Sequence, residues 1–145
     1  MLYLDTSALL KLYVREDGSE AVQAVVQAQS EPLPVWEVQE MELLNALKLK
    51  VFWEELSESE AEYQASLFGQ RKDRGLYFTP DIRRAELMSE FKRLSVHTPR
   101  LGCRTMDILH VACALQLSPD RFLSFDTRQR NLAEAVGLPV ADLAQ

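Results

Sequence analysis

Cysteine is scarce in this chain: among 145 residues only Cys103 and Cys113 occur. Two thiols at that separation make neither a disulfide framework nor a CxxC metal motif. A zinc site would have to draw in both histidines, His97 and His110, and no ligand spacing supports that. Glycine and proline are also few, five and six, while 47% of residues are apolar, which excludes collagen-like and disordered classes. Long apolar runs are missing too. Met1-Leu2-Tyr3-Leu4 meets Asp5 at once, and no later stretch approaches the roughly 18 apolar residues of a membrane helix. These absences lead to the expectation of a protein of the reducing cytoplasm, neither secreted nor membrane-inserted. Basic charge is in deficit as well, 16 Lys and Arg against 22 Asp and Glu. A net charge of −6 argues against bulk adhesion to nucleic acid, since cations that neutralise phosphates supply most of that affinity.

What is present suits one compact domain spanning 1–145, long enough to bury about two-thirds of its unfolded surface. Leu2-Tyr3-Leu4 reads as a short strand, and Asp5-Thr6-Ser7 then starts a helix through Tyr13. Helical spacing recurs from Gly18 to about Gln29, from Glu37 to Lys50, from Ser57 to about Asp73, and from Thr105 to Leu117. Thr79-Pro80-Asp81 is expected to open a further helix reaching Ser95, with proline in the first turn. Pro32-Leu33-Pro34-Val35 gives a brief extended segment. Arg121 to Phe125 alternates as a strand, Asp126-Thr127 starts a helix closed by Gly137, and Leu138-Pro139-Val140 is a last short strand. Strands separated by helices predict a parallel sheet with helices on both faces, a three-layer α/β/α domain.

Asp5 and Asp126 each follow a strand and precede a helix, so each is a natural helix cap. Each also falls at the carboxyl end of a strand, where open α/β sheets bind their ligands. Asp107 opens an apolar helix, as a dipole-stabilising surface acid or as a carboxylate entering a site. Glu42 lies in Met41-Glu42-Leu43-Leu44, flanked by apolar residues, whereas Glu37 and Glu40 read as solvated. Carboxylates gathered without a cation between them repel, so a shared pocket would call for a divalent metal. Mg²⁺ or Mn²⁺ suits oxygen ligands and phosphodiester hydrolysis.

Four segments then carry a resemblance: Leu4-Asp5-Thr6-Ser7-Ala8-Leu9, Glu42-Leu43-Leu44-Asn45-Ala46-Leu47, Asp107-Ile108-Leu109-His110-Val111-Ala112-Cys113-Ala114 and Leu123-Ser124-Phe125-Asp126. Together and in this order they resemble the PIN-domain ribonucleases of the VapC-like toxin group. The resemblance implies an acidic metal pocket of Asp5, Glu42, Asp107 and Asp126, with Thr6 and Ser124 in supporting roles. Asn45 and His110 match common residues of the group, and hydrogen bonding or packing explains them as well as catalysis does. It further implies an RNA endonuclease using Mg²⁺ or Mn²⁺, commonly a homodimer, held inactive by an antitoxin lying across the pocket. The alternative is a stand-alone PIN-like module that binds RNA or protein without cutting. A phosphatase with a nucleophilic Asp would need a second acid two residues on, and Asp5-Thr6-Ser7 lacks it.

Two surfaces follow from this reading. Segment 71–104 holds nine Lys and Arg against four acids, so RNA is expected to lie along it, with Arg104, three residues before Asp107, the first choice near the pocket and Arg83 and Arg84 the next. A solvated face pairing with Glu54 to Glu62 explains the run equally well. Leu9, Leu12, Tyr13, Trp36, Phe52 and Trp53 are candidates for an antitoxin groove, although apolar residues on amphipathic helices are more often core.

Overall fold

The computed structural model describes residues 1–143, so the last two positions of the expected 1–145 domain lie outside the described residues. Its elements run β1 (Leu2–Leu4), α1 (Thr6–Leu10), α2 (Ser19–Gln27), β2 (Leu33–Pro34), α3 (Glu37–Phe52), α4 (Glu58–Asp73) and β3 (Tyr77–Phe78). Then follow α5 (Arg84–Leu94), a 3₁₀ turn (Ser95–His97), α6 (Thr98–Leu101), α7 (Thr105–Leu117), β4 (Arg121–Leu123) and α8 (Thr127–Ala135).

β1 pairs with β4 and β2 with β3, all in parallel. β1 also runs beside β2 without a ladder between them. The sequence explains that break. Leu33 and Val35 send their N–H groups to Leu76 and Phe78 across β3, so the intervening Pro34 faces the other way, toward β1, with no N–H to give. The buried amide of Gln39 donates to the Leu4 carbonyl instead.

Alternation along the strands divides the core. Leu2, Leu4 and Leu123 face one side, where Leu9, Val22, Leu43, Leu47 and Phe68 of α1 to α4 cover them. Tyr3 and Phe122 face the other, against Leu94, Ile108, Val111 and Leu132 of α5, α7 and α8. Tyr3 and Phe122 stack with centroids 5.4 Å apart, a contact that adds about 1 kcal/mol to their burial. The three-layer α/β/α arrangement with a short parallel sheet is thus the one expected from the sequence.

Several elements differ from that reading. Tyr77–Phe78 is a strand, and α5 starts at Arg84 instead of Thr79. Pro80 disfavours helical geometry at Thr79 and so keeps the chain extended past β3. The stretch Leu138–Val140 contributes a single bridge, Val140 to Phe122, and α1 ends at Leu10. The short α6, capped by left-handed Gly102 (φ 66°), had no sequence expectation.

Candidate acidic active site

Three helices begin at one cleft. β1 ends at Leu4, and the next residue, Asp5, caps α1 by accepting the Ala8 N–H at 2.9 Å. β4 ends at Leu123, and three residues later Asp126 caps α8 by accepting the N–H groups of Arg128 and Gln129 at 2.9 and 3.3 Å. Asp107, in the first turn of α7, accepts the Arg104 N–H at 2.7 Å. Their positive helix ends offset part of the repulsion between the acids. Glu42 comes in from α3, and the four carboxylates line one cleft of about 440 Å³ with Ser7, Arg104 and Gln129.

Each acid is held by named donors. Asp5 is fully buried, with Ser7 Oγ donating to Oδ1 at 2.6 Å and Ser124 Oγ to Oδ2 at 2.5 Å. Burial pushes its carboxyl above the ordinary aspartate value; His110 and the Ser124 and Ser7 hydroxyls pull it part of the way back. Ser124 Oγ also accepts the Asp126 N–H at 3.0 Å, linking the two aspartates. Glu42 Oε2 is 2.9 Å from His110 Nε2, and the Tyr3 hydroxyl is 3.0 Å from Nδ1. A Tyr3 O–H donating to Nδ1 and an Nε2–H donating to Glu42 satisfy all three groups.

Arg104 stands between two of the four acids. Its Nη2 lies 2.5 Å from Asp126 Oδ2 and 3.3 Å from Asp107 Oδ1, and its Nε lies 3.3 Å from Asp107 Oδ2. The two acids hold the guanidinium pKa above its usual value, Asp107 contributing most. The premise of acids without a counter-cation is therefore corrected. Among the described residues, no three His, Cys, Asp or Glu side chains are grouped so as to hold a metal ion. The donor chemistry still fits Mg²⁺ or Mn²⁺, since four carboxylates share a cleft with Gln129, whose Oε1 is buried and has no donor. What departs from a metal cage is the guanidinium between two of the carboxylates.

The expected supporting residues have different parts. Ser124 touches Asp5 directly, whereas Thr6 Oγ1 lies 3.2 Å from His110 Nε2 and acts on Glu42 through that ring. Asn45 is exposed. Glu40, expected to be solvated, is half-buried and paired with Lys72 at 2.5 Å. Three cleft contacts had no place in the sequence reading: Ser7, Gln129 and the Arg104 bridge. Gln129 had a signal, because Asp126-x-x-Gln129 has capping-box spacing, which turns the fourth residue back toward the first. Its Nε2 donates to Asp107 Oδ1 at 3.4 Å.

Arg83 and Arg84 do not line the cleft. The Arg83 backbone is tied to the Gln116 side chain near the end of α7, which puts it roughly 18 Å along that helix from Arg104. Arg83 pairs with Glu86 and Arg93 with Glu90, and among the described residues no cation of segment 71–104 pairs with Glu54 to Glu62. The candidate groove is divided as well. Leu9, Tyr13 and Trp36 are core and Leu12 is half-buried, while Phe52 (79%) and Trp53 (55%) are exposed with Met41 and Tyr63.

A family model described as PIN domain matches residues 2–135. Among solved structures the chain is similar to one titled FitAcB from Neisseria gonorrhoeae, at 16% identity and a TM-score of 0.65, covering 98% of this chain and 97% of that one. That likeness speaks for the fold. No curated protein matches the sequence.

Proposed function

The chain belongs to the PIN-domain family, and from that premise we propose that it is a metal-dependent endoribonuclease, the toxin of a toxin–antitoxin pair. One observation carries the reading: Asp5, Glu42, Asp107 and Asp126, from three helix starts and a fourth helix, line a single cleft at the carboxyl ends of β1 and β4. A divalent cation bound there would ease deprotonation of an attacking water and stabilise charge on the leaving oxygen. The chain's own groups supply position. Ser7, Ser124 and the start of α1 fix Asp5, His110 aims Glu42, and Gln129 with the Arg104 backbone fixes Asp107. Arg104 is the candidate for the phosphate next to the scissile bond once its pairs with the acids open, and Arg84 with Arg83, whose exposed pair with Glu86 phosphate would have to displace, for phosphates further along. Exposed Phe52, Trp53, Met41 and Tyr63 offer apolar surface to an antitoxin or to a second copy in a homodimer. Among the described residues no helix is long and apolar enough to cross a membrane, which is compatible with a cytoplasmic nuclease.

Hydrolysis of single-stranded RNA is expected with Mn²⁺ or Mg²⁺ and not with chelator. Asp5→Asn should abolish most of it while circular dichroism stays unchanged, because the substitution removes charge at constant size. Chelator-resistant cleavage by Asp5→Asn would overturn the mechanism. A second reading, a module that binds RNA or protein without cutting, is favoured by the Arg104 bridge, which leaves Asp107 and Asp126 already sharing a cation. RNA binding without cleavage in either metal would establish that reading.

A further inference from the structure

Arg104 makes more contact with the acids than a capping residue requires. Its backbone N–H already completes the start of α7 by binding Asp107, so the side chain is not needed for that purpose. Yet the guanidinium uses both Asp107 oxygens and the one Asp126 oxygen that does not cap α8. Asp107 is almost wholly buried, Asp126 one-quarter exposed, and the Arg104 side chain 59% exposed. The cation therefore reaches in from the mouth of the cleft and has solvent behind it. A guanidinium holds its acceptors at 2.5 to 3.3 Å here, whereas Mg²⁺ draws oxygens to about 2.0–2.1 Å. Nη2 stands between Asp107 Oδ1 and Asp126 Oδ2, so a metal ion bridging those two oxygens would need the place it fills.

We propose that Arg104 is an exchangeable internal counter-ion: a divalent cation and its guanidinium compete for Asp107 and Asp126, and the displaced guanidinium becomes the phosphate-binding group at the cleft mouth. This rests on the metal-dependent reading above and adds a regulatory step to it. Holding the acids with Arg104 protects the fold from their repulsion, and it raises the metal concentration at which the pocket fills. Because metal and RNA phosphate each favour the swung-out guanidinium, each should tighten binding of the other. Gln129 sits beside the exchange, with its Nε2 on Asp107 and its Oε1 buried without a donor.

The test is Mn²⁺ titration of the full chain by calorimetry, wild type against Arg104→Gln, with thermal melts in chelator and in Mn²⁺. Arg104→Gln should bind Mn²⁺ at least about tenfold more tightly, since two charge contacts no longer have to be broken. It should also melt lower than wild type in chelator and gain more from Mn²⁺. Arg104→Lys keeps the charge without the planar fork and should give an intermediate affinity. Against a non-cleavable 2′-O-methyl RNA, Arg104→Gln should weaken binding in Mn²⁺ and leave it unchanged in chelator. Equal Mn²⁺ affinities for wild type and Arg104→Gln would overturn the exchange while leaving the metal-dependent reading intact. Absence of Mn²⁺ binding in both proteins would overturn the two together. Equal weakening of RNA binding with and without metal would show that Arg104 reaches phosphate without leaving the acids, and would also overturn the exchange.

Discussion

Asp5 and Asp126 show why single residues in this sequence supported two readings. Capping and site membership looked like alternatives, but each aspartate caps a helix with Oδ1 and gives Oδ2 to another side chain, Ser124 for Asp5 and Arg104 for Asp126. The strand–acid–helix pattern marked both positions, and a sequence does not show which oxygen faces where. Arg104 was legible as a cation near Asp107 by its spacing of three; its bridge to Asp126, 22 positions on, depends on two helices meeting. The Ser124 hydroxyl is a sharp test at this scale. Ser124→Ala strips a donor from a buried carboxylate and should cost about 1–3 kcal/mol in urea unfolding. It should also push the Asp5 carboxyl further up and shift the acid limb of the cleavage pH profile to higher pH. Ser124→Thr keeps the hydroxyl and should restore both. An unchanged pH limb in Ser124→Ala would mean that Asp5 does not titrate with activity.

Among the elements, α3, α4 and α7 lie where the sequence put them, because 13 to 16 residues give a helix room for end signals such as the Ser57 cap. β2 and β3 have two residues each, too short for a period to show, and their partnership is known from the pairing of Leu33 with Tyr77 and of Pro34 with Phe78. The same holds for the extended stretch after Phe78, where Pro80 was read as a helix start and acts as a delay. Loop contacts carry weight near the site. Gly18 begins α2 in a left-handed conformation (φ 87°), and a Cβ there would come within 2.8 Å of the Phe125 ring, beside Asp126. Gly18→Ala should therefore destabilise by at least about 1 kcal/mol, from backbone strain and displacement of that ring. A melting temperature equal to wild type would show that Phe125 yields freely.

Across the whole molecule, proton linkage sets the alkaline edge of stability. Burial pushes the Cys113 thiol up to about 12 and raises the Tyr3, Tyr13 and Tyr77 hydroxyls above their ordinary value. Groups with raised values in the fold contribute stability in full below their unfolded pKa values, and lose it as pH climbs from about 9 toward the folded ones. Urea midpoints should be steady between pH 7 and 8.5 and fall by pH 10.5, with Cys113 unreactive to iodoacetamide until the chain unfolds. A midpoint that is flat to pH 10.5 would contradict this burial. The net charge of −6 and the basic segment were fully readable, but pairing divides that segment: Arg83 and Arg93 spend their charge locally and Arg104 spends it in the cleft. The pairing of β1 with β4 has a further meaning in time. Asp5 and its hydroxyl donor Ser124 are 119 positions apart, so at 5–20 residues per second the ribosome delivers one roughly 10 s before the other. Leu2, Tyr3 and Leu4 must wait through that interval without the strand they hydrogen-bond to, so the cleft is assembled late, and a nascent chain has no full set of pocket acids until Asp126 has been made.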